Sequence, residues 1–292
     1  MPHHSGYVAI LGKPNAGKST LLNQLLGTRL AITTPKAQTT RHQIAGIYSD
    51  EEMQIIFLDT PGIITPTYSL QEAMMQTVRR AKADSDLVLF VFDPQDPYPS
   101  DQVVDLLRSF HKPILLIVNK LDQFNPDDPT IQIAVKNLQE RLKITKTIFL
   151  SALTGEHLSD LLELLRTLIP EGPAYFPKDE LSEHPMRFFA SELIREQIFM
   201  QTHEEIPYSC TVEISQYEET PILDRIYAEI IVNRESQKGI LIGKGGVTIK
   251  SIGSKARESI EEFTGKQAYL DLRVKVREKW RDQESWVKRL GY

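Results

Sequence analysis

The sequence predicts an α/β protein: a doubly wound, mostly parallel sheet followed by a second, smaller α+β domain. Three observations carry that expectation. Continuous apolar runs at 87–92 and 114–118 alternate with helix-like segments, the pattern of central strands covered on both faces. A glycine-containing turn, Gly12-Lys13-Pro14-Asn15-Ala16-Gly17-Lys18-Ser19, lies between the apolar run 7–11 and an amphipathic stretch from 20 to 26. Near residue 170 the apolar spacing lapses into 169–178, which holds three prolines, and then resumes with a different period.

The elements follow from the spacing of apolar residues and turn formers. Residues 7–11 read as a strand that delivers the glycine turn, and the stretch after the turn as a helix. Residues 33–42 show neither period and read as a long loop. Residues 43–48 and 53–58 are β-rich runs joined by the polar turn 49–52, an antiparallel hairpin. Strands at 87–92, 114–118 and 147–150 alternate with helices at 101–110, 130–142 and 159–168. A first domain is therefore expected over 1–170, a linker over 171–184 and a second domain over 185–292. The second domain reads as a helix to residue 200, strands near 210–217 and 225–232, a helix to 263, a strand near 268–276 and a short basic C-terminal helix.

A chain of 292 residues fits two domains, and 41% hydrophobic with 25% charged residues is ordinary for a globular protein. No apolar run approaches the ~20 residues of a membrane span, and residues 1–6 lack the basic and apolar regions of a secretory leader. The expected location is the cytoplasm. Cys210 is the single cysteine, which excludes an internal disulfide and argues against a thiolate metal site. The net charge of −5 is uneven: residues 233–292 hold 14 basic and 8 acidic residues, a net +6, against 20 and 31 in the remainder, a net −11. A basic end suits nucleic acid, although a solvated surface gives the same balance.

The glycine turn has the GxxxxGK[ST] spacing of a P-loop NTPase. Gly12 and Gly17 let backbone N–H groups close on phosphate oxygens, with Asn15 and Ala16 completing the turn. Lys18 brings a point charge to the β- and γ-phosphates. Ser19 is placed to ligate Mg²⁺ and, with Thr20, opens a helix whose N-terminus favours an anion. At the end of the hairpin's second strand, Asp59-Thr60-Pro61-Gly62 offers a carboxylate to Mg²⁺ through water and the Gly62 N–H to a γ-phosphate. Asn119-Lys120-Leu121-Asp122 supplies a carboxylate matched to the ring N–H and exocyclic amine of guanine, and Ser151-Ala152 completes the base pocket. Each of these is a turn former by itself. Four in this order and spacing imply binding of GTP and GDP and hydrolysis of GTP.

These elements resemble the translation-factor-related small GTPases, and Lys36-Ala37-Gln38-Thr39-Thr40-Arg41-His42 is similar to the first switch of the Era subfamily. The resemblance implies that Thr40 reaches Mg²⁺ when GTP is bound, with Thr39 as its rival, and that Lys18, Thr40, Gly62 and Asn15 serve hydrolysis. Ile63 stands where Ras-type enzymes carry the glutamine that orients the attacking water. Slow intrinsic hydrolysis follows unless a cation or a partner adds charge. In similar GTPases an asparagine at the place of Asn15 helps hold K⁺, so K⁺ joins Mg²⁺ as an expected cofactor. Shaping the turn is the alternative role for Asn15.

Ile242-Gly243-Lys244-Gly245-Gly246 resembles the GxxG loop of KH domains, in which N–H groups and the lysine clamp about four nucleotides of a single strand. One helix and two strands before it, and a helix and strand after it, match the α-β-β-α-α-β order of a type II KH domain. A glycine-rich helix start is the bland alternative. Lys244, Lys250, Lys255 and Arg257 are the expected phosphate contacts. Arg273, Lys275, Arg277, Lys279 and Arg281 form an alternating basic run that an edge strand would equally present to water.

The resemblance covers nearly the whole chain, including Arg195 within 188–196. It implies binding near the 3′ end of 16S ribosomal RNA and a part in small ribosomal subunit assembly, as a monomer whose nucleotide state alters exposure of the RNA groove. A rival reading makes the chain a regulatory GTPase acting on a protein or membrane-surface partner, with the KH-like domain as a docking module and the basic tail giving peripheral membrane contact.

Overall fold

The computed structural model describes residues 3–96 and 101–292, with the backbone but not the side chain of Gln102. The chain divides into two units, one built from residues up to 31, 40–66 and 74–183, the other from 32–39, 67–73 and 184–292. Among the described residues no helix is long and apolar enough to cross a membrane.

In the first unit, β1 (His4–Gly12), β2 (Ile44–Ser49), β3 (Met53–Asp59), β4 (Leu87–Phe92), β5 (Ile114–Val118) and β6 (Lys146–Phe149) form one sheet of order β2-β3-β1-β4-β5-β6. Every neighbour pair is parallel except β2 with β3, which make the expected hairpin. The apolar runs of β4 and β5 are buried along their whole length, as strands with both faces covered require. α1 (Lys18–Leu26), α2 (Ser69–Asp84), α3 (Asp101–Arg108), α4 (Pro129–Arg141) and α5 (Leu158–Leu168) connect or follow the strands. Because β1 lies between β3 and β4, the winding reverses there. The carboxyl ends of β1, β3 and β5 consequently deliver Gly12, Asp59 and Asn119 to one edge of the sheet.

Three findings depart from the sequence expectation. β1 begins at His4 rather than Tyr7, because His4 to Gly6 continue the parallel register with Met53 to Ile55. A helix, α2, occupies a stretch to which no element was assigned. Its buried Leu70, Met74, Val78 and Ala81 have helical spacing, but thioether and alanine positions among polar residues make a faint stripe. The stretch expected as a linker is pinned to the first unit. Gln54, fully buried in β3, accepts from Tyr175 N (2.7 Å) and Phe176 N (2.9 Å) and donates to Phe176 O (2.8 Å). Further along, Ile47 N donates to Leu181 O and Ser182 Oγ to Ala45 O.

The second unit holds α6 (Met186–Gln201), the short α7 (Ile206–Ser209), β7 (Cys210–Glu218), β8 (Leu223–Val232), α8 (Glu235–Ile242), α9 (Val247–Thr264), β9 (Gln267–Val276) and α10 (Glu284–Arg289). Its sheet runs β7-β8-β9, antiparallel then parallel, so β9 is an edge strand. Ile194, Ile198, Ile226, Ile230, Leu241, Ile252 and Ala256 join the helices to the sheet in a single core. Omitting the four-residue α7 and the C-terminal α10, this is the α-β-β-α-α-β order that the sequence led us to expect. Arg195 lies in this core, 1% exposed, and pairs with Glu192 one helical turn away (Nε to Oε1, 2.8 Å).

Candidate nucleotide site and nucleic-acid interface

The phosphate loop is bounded by backbone that only a small residue tolerates. Gly17 caps α1 with φ 97°, and a Cβ there would lie 2.2 Å from Asn119 Nδ2. Gly62 abuts the loop from the other side, where a Cβ would come within 2.6 Å of Pro14 N. Ile63 N donates to Gly12 O at 3.0 Å and Thr60 Oγ1 to Ile10 O at 2.8 Å, tying the Asp59–Gly62 turn to β1 and its loop. Asn15, at φ 62°, forms the exposed crest.

Three oxygen side chains from distant parts of the chain converge. Ser19 Oγ donates to Asp59 Oδ2 at 2.6 Å and lies 2.8 Å from Thr40 Oγ1. Asp59 is fully buried, and its second oxygen, Oδ1, accepts no hydrogen bond. An orphaned buried carboxylate oxygen beside two hydroxyls is a donor set that suits a hard cation such as Mg²⁺. Thr39 does not join it: its hydroxyl meets Thr34 Oγ1 (2.6 Å) and Lys36 O (2.7 Å).

Burial governs the two charges here. It pushes the Asp59 carboxyl up to about 6, against the opposing pull of Lys18, and lowers the Lys18 ammonium to about 8, against that of Asp59. Lys18 Nζ donates to Lys13 O at 2.8 Å, curled under the loop where the β- and γ-phosphates of a nucleotide would lie. Ala16 is buried, and Thr20 continues the first turn of α1.

At the base end the structure separates two roles that the motif runs together. Asn119 is spent on the protein, its Nδ2 donating to Ala16 O (2.8 Å) and its Oδ1 accepting from Ala152 N (2.9 Å). It is a strut between the phosphate loop and the Ser151-Ala152 loop. Asp122 is exposed and is held by Ser151 Oγ, which donates to its Oδ1. Lys120, at φ 69°, precedes the 3₁₀ turn Leu121–Gln123 and reaches Asp93 Oδ2 at 2.5 Å. Lys13 pairs with Asp96 at 2.7 Å. Sequence reasoning missed Asp93 and Asp96, whose signal was only two aspartates after a central strand. Ile63 is 4% exposed, its side chain in the core.

In the second unit, α8 ends at Gly243 (φ 71°), Lys244–Gly246 form a 3₁₀ turn and α9 starts at Val247. The apolar stretch before the turn is thus the last turn of a helix. Lys244 and Gly245 are exposed at its tip, flanked by two exposed apolar residues, Ile240 and Val247, while Ile242 and Gly246 are half-buried. Lys250 is exposed one turn into α9. Lys255, five residues on, lies about 140° round the helix and does not share that face. Arg257 returns to it but pairs with Glu261 Oε1 at 2.9 Å.

Four of the five members of the later basic run make other contacts. Arg273 pairs with Asp271 and Lys275 with Glu229, while Arg277 stacks on Trp286. Arg281 stacks on Tyr68, 4.5 Å from the ring centroid, and donates to Tyr208 O.

Residues 7–120 match the family described as 50S ribosome-binding GTPase, and residues 205–281 match the KH domain. GTPase Era of Carboxydothermus hydrogenoformans is 41% identical over 296 residues, covering 100% of this chain and 99% of that protein. GTPase Era of Nostoc sp. is 45% identical over 290 residues, covering 99% and 89%. Two solved structures superpose with a TM-score of 0.93 at 37% identity, covering 99% of each chain. One is a variant of Aquifex aeolicus Era bound to GDP·AlF4⁻, the other Era in complex with MgGDPNP and nucleotides 1506–1542 of 16S ribosomal RNA. With the full GTPase motif set in the first unit and the KH order in the second, the chain belongs to the Era family of GTPases.

Proposed function

We propose that this GTPase is a nucleotide-timed RNA-binding switch acting on 16S ribosomal RNA near its 3′ end during assembly of the small ribosomal subunit. Its GTPase domain is taken as 1–170 and its KH domain as 185–292. One observation carries the coupling. The segments 32–39 and 67–73, which adjoin Thr40 and follow Asp59–Gly62, pack within the C-terminal unit. There Lys36 Nζ donates to Phe199 O and Thr202 O, the closing carbonyls of α6, and Thr33 N to the buried Glu196. Ser69 Oγ donates to Asp282 O at 2.9 Å beside the stack of Tyr68 on Arg281. Segments that report on a γ-phosphate are thus held by the unit that carries the GxxG turn. The RNA target rests on the relative solved with that RNA.

Ser19, Thr40 and Asp59 would hold Mg²⁺, which supplies charge neutralisation at the phosphates. Lys18 and the N–H groups of residues 12–19 and Gly62 bind and orient the triphosphate. Asp122, braced by Ser151, accepts from guanine. With Ile63 apolar and buried, K⁺ beside Asn15 is the proposed source of the missing charge.

The test is RNA affinity of the full chain with a non-hydrolysable GTP analogue and with GDP, together with sequencing of RNA crosslinked to the GTP-bound form. Preferential recovery of the 3′ end of 16S RNA and unequal affinities are expected. Equal affinities would refute the coupling, since linkage must be reciprocal.

A further inference from the structure

We propose that Asp93 is a positioning residue for guanine recognition, and that the turn Asp93–Asp96 is a clasp setting how long the nucleotide stays bound. This turn follows β4 and contains none of the residues that the GTPase motifs assign. It nevertheless touches both ends of the nucleotide site. Asp93 Oδ2 accepts from Lys120 Nζ at 2.5 Å, with the carboxylate 13% and the lysine 26% exposed. Gln95 Nε2 donates to Gln123 Oε1 at 3.2 Å, and Asp96 Oδ1 accepts from Lys13 Nζ on the phosphate loop at 2.7 Å.

The turn is itself braced, since Asp93 Oδ1 accepts from Gln95 N and Asp93 O from Asp96 N, both at 3.0 Å. One short segment therefore bridges the base loop and the phosphate loop, as the Asn119 strut does with other residues.

The consequence for the base follows from the backbone. Lys120 sits at φ 69°, a conformation that costs a non-glycine residue energy and needs the surroundings to hold it. Three contacts do so: Lys120 Nζ on Asp93, Gln123 N on Lys120 O (2.8 Å) and Leu121 N on Leu150 O (3.1 Å). Asp122 lies inside this turn, so its carboxylate direction depends on the turn keeping its shape. Asp93 thus acts on the base through Lys120 and the turn rather than by contact. Asp96 acts on the phosphate end through Lys13, and its carboxylate is 57% exposed, so its share is smaller.

The inference rests on Asp122 being the guanine-reading carboxylate. The experiment measures release of fluorescent GDP from the full chain on chase with unlabelled GDP, together with competition by GDP and by IDP, which lacks the exocyclic amine. Asp93→Asn is expected to release GDP about fivefold to tenfold faster and to lose several-fold of the GDP-over-IDP preference. Asp93→Glu should restore most of both, and Asp96→Asn should change release about twofold with the preference intact. Faster release with an unchanged GDP/IDP ratio would overturn positioning, because a merely loosened loop weakens both ligands alike; unchanged release would overturn the clasp. Asp122→Ala separates the two failures. If it keeps the GDP/IDP preference, the reading of Asp122 falls; if it loses the preference while Asp93→Asn does not, only the present inference falls.

Discussion

Ser19 and Thr40 bring their hydroxyl oxygens to 2.8 Å of one another, and Ser19 in turn donates to the buried carboxylate of Asp59. The preceding threonine, Thr39, turns its hydroxyl away, into contacts with Thr34 and Lys36. This arrangement supports Thr40 over Thr39, two adjacent candidates that the sequence left open, as the proposed Mg²⁺ ligand. Thr40→Ala should weaken Mg²⁺-dependent binding of a GTP analogue by about tenfold or more and leave GDP binding nearly unchanged. Thr39→Ala should change both by less than about twofold. Titration of each variant with a fluorescent GTP analogue over a range of Mg²⁺ concentrations checks this, and a larger loss in Thr39→Ala would reverse the assignment.

Asp59 gives a pH dependence with a definite sign. Its folded value is raised by burial from 3.8 to about 6, so between these values the folded, nucleotide-free chain holds a proton that the unfolded chain has lost. The stabilisation from that proton is complete below about pH 4 and is lost as the pH rises through about 6, up to about 3 kcal/mol in all. Asp59→Asn removes the titration. The Tm difference between the variant and the natural chain should therefore grow from pH 4 to pH 6 and level off above it. A difference independent of pH would show that Asp59 keeps an ordinary acidity.

The pinned 171–183 stretch predicts its own sensitivity. Gln54→Ala would leave the N–H groups of Tyr175 and Phe176 without their acceptor and a gap in a fully buried strand. A loss of about 2–6 kcal/mol in unfolding free energy is expected, at about 1–3 kcal/mol for each of the two N–H groups left unpaired. Limited proteolysis should now cut near residues 173–177. Resistance equal to that of the natural chain would mean that Gln54 does not hold the segment.

Those residues also show where the sequence was legible and where it was not. The strands β4 and β5, the phosphate loop and the GxxG turn were legible because each depends on local order: an apolar run or a fixed glycine spacing. Gln54 was not, since nothing local distinguishes a glutamine that binds a segment about 120 residues away from one that faces water. Asn119 was half legible. Its motif names it, but its two contacts, to Ala16 and Ala152, emerge only when three loops meet at one edge of the sheet. The phosphate candidates on α9 divide for a similar reason. Helical spacing puts Lys250 and Arg257 on one face, yet the partner that occupies Arg257 is another residue of the same helix, Glu261.

Hydrolysis should depend on the monovalent cation, because Ile63 is buried and its apolar side chain cannot orient a water. In KCl the rate should exceed that in NaCl at matched ionic strength by about tenfold or more, a fraction of what an arginine finger supplies. Asn15→Gly is the informative variant. Glycine adopts the φ of 62° without strain and removes the side chain with its amide. The KCl/NaCl ratio should fall towards one in this variant while GDP affinity stays within about twofold. Persistence of the full ratio would remove Asn15 from K⁺ binding.

For RNA the observable that separates the lysines is the salt slope rather than affinity alone. Each phosphate contact to a single strand contributes about 0.7 to the slope of log K against log salt, whereas a cation already paired with a carboxylate releases fewer counterions on binding. Lys244 and Lys250 are exposed at the GxxG turn and the first turn of α9. Their double alanine variant should lower the slope by about 1.4, with the loss spread evenly over RNA sequences. Arg257→Ala should leave the slope unchanged because Glu261 already holds the guanidinium, and Lys255→Ala should do so because its side chain emerges on another face. Filter binding of a short 16S-derived single strand across a range of KCl concentrations gives the slopes. If Arg257→Ala lowers the slope as far as Lys250→Ala does, the Glu261 pair opens on binding and the interface extends further along α9.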